Sequence, residues 1–171
     1  MKATLLTTEE YNAYYDPYIK ALGNVDLFQA FNETEKEFLN LINSIPEEKL
    51  HYSYGIGKWT VAEVLLHVVD TERIFQYRAL RIGRNDKTNL AGFDENLFVP
   101  ESFSNERSVE SLMDEFKVVR ASTRLLFKSF NDQVLLRNGN ANNSVISVRA
   151  IGFIISGHVK HHIRIIKERY L

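Results

Sequence analysis

The chain has 171 residues, of which 44% are hydrophobic and 25% charged, and its formal net charge is −1 at pH 7. This length predicts a single domain over residues 1–171 with an ordinary hydrophobic core. The balanced charge argues against a nucleic-acid partner, because proteins dominated by phosphate contacts carry a clear basic excess.

Three features that the sequence lacks limit the chemistry and the location expected of the protein. The chain has no cysteine, so disulfides, cysteine–zinc sites and a cysteine nucleophile are excluded, and any metal site must use histidine and carboxylate. No apolar run approaches the ~20 residues that span a bilayer, so no membrane partner is expected. The first residues lack the apolar core of a secretory signal, and a cytoplasmic location is therefore expected.

Apolar residues recur at helical spacing, and no segment shows convincing strand alternation. The first predicted element is a short leading helix over residues 8–15. Thr7 and Glu10 have the spacing of a capping box there, and Pro17 disfavours helix at Asp16. The first long helix is predicted over residues 26–44, with Pro46 closing the segment.

The second long helix has the sharpest start signal. Thr60 and Glu63 form the S/T-x-x-E pattern of a capping box, and the predicted helix runs over residues 61–82 to Gly83. Residues 83–107 then form a connection long enough to cross from one end of a bundle to the other. Connections of this length are uncommon unless they are functional.

Serine caps mark the two remaining long helices. Ser108 is a plausible N-cap for a helix to about residue 130, and Ser147 for a helix to about residue 169. Between them, residues 138–144 are polar and typical of a turn, with residues 140–143 either a loop over a pocket or merely a turn. Four long helices, one long crossover and a short leading helix predict an all-α four-helix bundle.

The histidines are the one constellation that indicates chemistry. His158 and His162 stand four residues apart and share a helix face. His67, in the second long helix, could complete a three-histidine set with open coordination positions, as catalytic zinc uses. His158 with His161 is the alternative pair, but His161 lies about a hundred degrees off the apolar strip that carries the other two. Without a metal, these residues would be surface histidines and one core histidine.

Two charged positions have both a functional and a structural interpretation. Asp70, one turn after His67, is a weak catalytic candidate that could orient an imidazole or activate a metal-bound water or thiol. Its structural alternative is an ion pair with Arg73 or Arg78. Arg149 either binds an anionic substrate group or is an exposed arginine at a helix start.

Several segments, in order along residues 27–171, resemble the DinB-like superfamily. They are Lys58-Trp59-Thr60-Val61-Ala62-Glu63-Val64-Leu65-Leu66-His67, Asp70-Thr71-Glu72-Arg73, Gly92-Phe93-Asp94-Glu95, Ser147-Val148-Arg149 and Gly157-His158-Val159-Lys160-His161-His162. The resemblance implies an antiparallel four-helix bundle, often dimeric. It also implies a metal held by one histidine of the second long helix and two of the last, which match His67, His158 and His162.

The resemblance also implies a function. Members of the superfamily include transferases and isomerases that use thiols such as bacillithiol or mycothiol, and proteins described as metal-dependent hydrolases. We therefore expect a divalent metal, with zinc or nickel favoured over iron or manganese, and S-transfer of a small thiol to an electrophilic small molecule. The alternatives are metal-dependent hydrolysis and a non-enzymatic, stress-associated bundle with a structural metal. A homodimer is expected from family habit and from the aromatic leading segment around Tyr14 and Tyr18.

Overall fold

A computed structural model describes residues 1–171 and contains four long helices. They are α2 (Leu27–Ser44), α3 (Val61–Gly83), α5 (Val109–Lys128) and α7 (Val148–Arg169). Three short helices are α1 (Asp16–Lys20), α4 (Glu95–Phe98) and α6 (Asp132–Leu135). Helix α7 packs on α2 and α3, and α5 packs on the same two helices. The predicted four-helix bundle is confirmed, and none of its helices has the length and apolar character to cross a bilayer.

The local start signals are confirmed at three long helices. The Thr60 hydroxyl accepts from the backbone N–H of Glu63 at 3.2 Å, and the Glu63 carboxylate accepts from the N–H of Thr60 at 2.7 Å. Ser108 caps α5 and Ser147 caps α7 through the same kind of bond. Each cap satisfies an N–H group that has no partner within the helix, which explains why these starts are readable from sequence.

The leading segment differs from the prediction of a helix over residues 8–15. The chain makes turns there, then a 3₁₀ helix (Ala13–Tyr15), and only then α1. The Glu10 carboxylate does accept from the N–H of Thr7 at 3.1 Å, but it also accepts from Ser147 at 2.8 Å and from Arg149. These bonds hold residue 10 as a turn against α7. Pro17 is accommodated in the first turn of α1, where its missing N–H is not needed.

The region between α6 and α7 is a short β-hairpin, which the polar, turn-like pattern of residues 138–144 did not predict. Strands β1 (Asn138–Ala141) and β2 (Ser144–Ser147) pair antiparallel. Asn142 and Asn143 have φ of 51° and 58°, the left-handed conformation that two-residue hairpin turns require and asparagine tolerates. The N–H of Leu90 donates to the carbonyl of Asn140 at 2.9 Å, which ties the long crossover to this hairpin.

A buried ion pair crosses the core between three helices. The Arg120 side chain of α5 is fully buried and donates to both carboxylate oxygens of Glu72 on α3, at 2.8 and 2.7 Å. It also donates to the carbonyl of Phe31 and the hydroxyl of Thr34 on α2. Glu72 therefore belongs to the core.

Candidate metal centre

Three imidazoles from two helices, α3 and α7, converge inside the bundle. The Nε2 atom of His158 lies 3.1 Å from Nε2 of His67 and 3.0 Å from Nε2 of His162. One ring nitrogen from each of the three lies within 4.8 Å of the others. The structure thus brings together the three histidines named from the sequence, because His67 of α3 faces the His158–His162 face of α7.

The nitrogen spacing fits ligands of a single ion. Two nitrogens bonded to one metal at about 2.0–2.1 Å are about 3.0 Å apart at a right angle and about 3.4 Å apart at the tetrahedral angle. A neutral imidazole has one proton for its two nitrogens, so hydrogen bonds cannot fully satisfy three converging rings. The Nδ1 atom of His162 is also buried without a hydrogen-bond partner.

Burial keeps these imidazoles neutral. It lowers the pKa of His67 to about 4, with a smaller contribution from His161. Burial and the neighbouring imidazoles lower the pKa of His158 and of His162 well below the usual range. A neutral ring offers a lone pair, which is the form that binds metal. The site therefore presents its ligands ready for a cation over the physiological pH range.

His161 has a different role from its neighbours. It is half-buried, and its ring stands 5.1 Å from the ring of Tyr18, centroid to centroid. It is not among the three rings whose nitrogens converge. Its position agrees with the prediction that it points away from the ligand face.

The histidines open onto a cavity of about 480 Å³. Its walls come from the leading segment, α3, the crossover, the hairpin and α7. Besides the four histidines, the lining residues are Asn12, Tyr14, Tyr15, Tyr18, Trp59, Thr71, Phe75, Arg78, Phe93, Glu95, Ala141, Asn142, Ser144 and Ile154. Of the two interpretations of residues 140–143, the structure supports the loop over a pocket, since Asn142 lines the cavity from the hairpin tip.

Sequence reasoning missed most of one cavity wall. Thr71, Phe75 and Arg78 follow His67 by four, eight and eleven residues, which places all four on one face of α3. The Thr71 hydroxyl is buried and has no hydrogen-bond partner. The helical spacing of these residues from His67 could have indicated that they share its face of α3. The same spacing is also typical of an ordinary core-facing strip, so it did not identify a cavity wall.

The leading segment closes the cavity against α7 through a glycine. A Cβ atom at Gly157 would overlap the backbone carbonyl of Tyr18, so only glycine permits this approach beside His158. The Tyr18 ring then reaches His158, with 5.8 Å between ring centroids. On the opposite side, the Trp59 ring lies 4.9 Å from that of His67. An aromatic side chain thus lies beside the His158 ring of α7, and another lies beside the His67 ring of α3.

Two other candidates lie away from the three nitrogens. Asp70 pairs with Arg73 at 3.6 Å and does not line the cavity; burial raises the pKa of its carboxyl group. Arg149 forms an ion pair with Glu10 and is mostly buried. The two interpretations offered for Arg149, an anion site and an exposed side chain, were therefore both wrong, because a carboxylate 139 residues away in sequence occupies it.

The fold is a four-helix bundle with a cluster of three histidines that could hold a metal ion. The chain matches the model of the DinB superfamily over residues 30–166 and belongs to that superfamily, which confirms the resemblance inferred from sequence. No curated protein matches the chain significantly.

Two solved structures share the fold. One is described as YfiT from Bacillus subtilis, "a probable metal-dependent hydrolase with an unusual four-helix bundle topology". It has a TM-score of 0.76 and 16% sequence identity, over 95% of this chain and 89% of that one. The other is a mycothiol-dependent maleylpyruvate isomerase, with a TM-score of 0.67 and 10% identity, over 82% of this chain and 60% of that one. At sequence identities of 16% and 10%, the similarity to these two structures shows a shared fold.

Proposed function

We propose that this chain is a metal-dependent enzyme that binds one divalent ion through His67, His158 and His162 and transfers a low-molecular-weight thiol to an electrophilic small molecule. The observation that carries the proposal is the convergence of three neutral imidazoles at the wall of a cavity of about 480 Å³. A purely structural metal is normally enclosed by four protein ligands, whereas three ligands beside a cavity suit exchange of a substrate.

In the proposed reaction, the metal ion activates the nucleophile and the protein holds the ion and the substrates. A bound divalent ion would lower the pKa of a thiol or of a water molecule placed beside it. The chain's own contribution is to hold three ligands in the neutral state beside a cavity that is also lined by the aromatic side chains of Trp59, Phe75 and Tyr18. Since the chain has no cysteine, the thiol comes from a cosubstrate such as bacillithiol. Imidazole ligands together with a thiolate favour zinc or nickel over the harder iron and manganese.

Metal-dependent hydrolysis is the second candidate. It is supported by the description of the fold neighbour YfiT, whereas the thiol reaction is supported by the mycothiol-dependent isomerase. Both reactions need the same three histidines and differ in the nucleophile. The two reactions are distinguished by whether turnover requires a thiol.

A paired assay tests the proposal. The protein is loaded with zinc or nickel and given bacillithiol or mycothiol with 1-chloro-2,4-dinitrobenzene, and separately an activated ester without thiol. The expected result is thiol transfer that requires metal and is lost in His162→Ala. His51→Ala is the matched control, because His51 is exposed and its ring contacts only Asn105 by a hydrogen bond. Turnover of the ester alone would favour hydrolysis.

The non-enzymatic alternative gives a different result. If the metal only joins α3 to α7, a chelator lowers the melting temperature markedly and neither substrate is turned over with any metal. That outcome contradicts the proposed enzyme. The proposal instead expects chelation to abolish activity while the bundle stays folded, since its apolar faces supply most of the stability.

A further inference from the structure

Arg78 is a buried cation with no anionic partner. Its side chain belongs to a residue only 3% exposed, yet it lines the cavity. Its guanidinium donates one hydrogen bond, from Nη2 to the carbonyl of Ala91 at 2.9 Å, and stands 5.1 Å from the centroid of the Phe75 ring. Its Nε and Nη1 atoms make no hydrogen bond within the protein, and one of the two N–H groups of Nη2 is also unused, so one edge of the guanidinium keeps two free donors.

The other fully buried arginine, Arg120, and the mostly buried Arg149 are both paired. Arg120 binds Glu72 and Arg149 binds Glu10, each through two guanidinium nitrogens. Such pairing is the rule, because a buried charge without a partner is costly. The lack of such a partner at Arg78 therefore needs an explanation. Its position in the cavity wall provides one, because a bound ligand can supply the anion.

The protein offers Arg78 no compensating carboxylate. Glu95 also lines the cavity, but it forms no ion pair with Arg78. Burial lowers the pKa of the Arg78 guanidinium, an effect that Tyr15 partly opposes; arginine nonetheless stays protonated in proteins. Arg78 therefore places a positive charge at the cavity wall with no carboxylate bonded to it, and an anionic group of a ligand would neutralise this charge.

Helix geometry gives the separation of the Arg78 position from that of His67 along α3. Residues 67 and 78 are eleven apart, which corresponds to about three turns and a rise of about 16 Å on the same face. Thr71 and Phe75 lie between them on that face. A ligand that reached both ends would be an extended molecule with its reactive group beside the histidines and its anionic group beside the arginine.

We infer that Arg78 binds a carboxylate group of the substrate or of the thiol cosubstrate, at the end of the cavity remote from the three histidines. The unused N–H of Nη2 and that of the nitrogen beside it form a planar edge, which matches a carboxylate in two-pronged geometry. The inference deepens the proposed function, on which it rests for the reaction at the other end, but the carboxylate subsite can be tested without any turnover.

The first experiment measures binding of propionate to the folded protein, with propionamide as the uncharged probe of similar shape. Backbone amide NMR signals of residues 71–78 report the titration. The expected result is saturable binding of propionate that is at least tenfold tighter than that of propionamide, as charge-assisted hydrogen bonds imply. Arg78→Met should abolish this preference. Arg124→Met, which removes one exposed positive charge from α5, should leave it unchanged.

Stability measurements separate ligand binding from a structural role. Methionine has a similar length and no charge, so Arg78→Met should leave the melting temperature unchanged or raise it, as replacing a buried charge by an apolar side chain often does. Arg78→Lys keeps the charge and guards against a poorly folded methionine variant; it should bind propionate within about tenfold of the parent. Equal affinity for the two probes in the parent, or an unaltered propionate preference in Arg78→Met, would overturn the inference.

The second experiment identifies which molecule carries the carboxylate. One arm pairs a carboxylate-bearing thiol with an uncharged electrophile, and the other pairs an uncharged thiol with a carboxylate-bearing electrophile. Arg78→Met should raise the KM of the carboxylate-bearing reactant by about 10–100-fold in the productive arm and leave its uncharged partner unaffected. An unchanged KM in both arms refutes the inference. Absence of turnover in the parent instead counts against the proposed enzyme, and leaves the propionate result to decide on the subsite.

Discussion

Removing one partner of the buried Arg120–Glu72 pair should be among the most destabilising single changes in this chain. In Glu72→Leu, the fully buried guanidinium loses the carboxylate that accepts two of its hydrogen bonds and keeps only two acceptors on α2, the Phe31 carbonyl and the Thr34 hydroxyl. Breaking a buried ion pair in this way costs about 3–5 kcal/mol, because an uncompensated charge remains inside.

The double variant should recover most of that loss. Replacing Glu72 by leucine and Arg120 by methionine removes both charges, and the Thr34 hydroxyl still donates to the carbonyl of Ala30 at 2.7 Å. Well-packed apolar replacements of a buried pair are often neutral or stabilising. We therefore expect the double variant to be more stable than either single variant, with a coupling energy of about 2–3 kcal/mol or more.

Urea and thermal unfolding of the four proteins measure this cycle. For a chain of this size, a loss of 3–5 kcal/mol lowers the melting temperature by roughly 6–20 °C. Arg124→Met is the exposed control, since its pair with Glu35 lies at the surface and should change stability by less than about 1 kcal/mol. Additive effects of the two single changes, or a loss below about 1 kcal/mol for Glu72→Leu, would refute the reasoning.

Three further predictions follow from the leading segment. Gly157→Ala should cost about 1–3 kcal/mol and loosen the cavity wall, because the new methyl group meets the Tyr18 backbone; Gly55→Ala, with only an ordinary contact, is the control in the same unfolding assay. Burial alone would raise the pKa of Glu10, but its hydrogen bonds, chiefly from Arg149, lower it. The ionised Glu10 carboxylate therefore makes its whole contribution to protein stability above the pKa of glutamate in the unfolded chain, about 4.3. This contribution is lost as the pH falls through the lower pKa of Glu10 in the folded protein. Glu10→Gln should thus lower the free energy of unfolding by about 1–2 kcal/mol at neutral pH. Urea titrations should show a smaller difference between variant and parent near pH 3. A difference that stays constant with pH would argue against the ion pair. Light scattering should report a homodimer, twice the 19.8 kDa chain mass, and a monomer at all micromolar concentrations would contradict this.

Features encoded locally were predictable from sequence. The starts of α3, α5 and α7 follow from caps within three residues, Thr60 with Glu63 being the clearest, and the ligand pair follows from the four-residue spacing of His158 and His162. The placement of His67 opposite that pair required the family resemblance. Spacing alone cannot show which helices face each other.

Features that depend on distant partners were not predictable. The Glu10 side chain was expected to cap a local helix, but Arg149 and Ser147 hold it from the other end of the chain. Arg120 gives no sign in sequence of its pairing with Glu72, 48 residues earlier. The hairpin was missed because its strands have four residues each, too few for a clear alternation.

Metal content tests the central claim most directly. Elemental analysis of the purified protein, after loading with zinc or nickel and removal of free ions, should give about one ion per chain. His162→Ala should lose most of it, because a two-ligand site holds an ion poorly. His161→Ala should retain it, because that ring lies outside the convergent set. A parent protein that binds no metal, or equal losses from the His161 and His162 variants, would contradict the assignment of the ligand face.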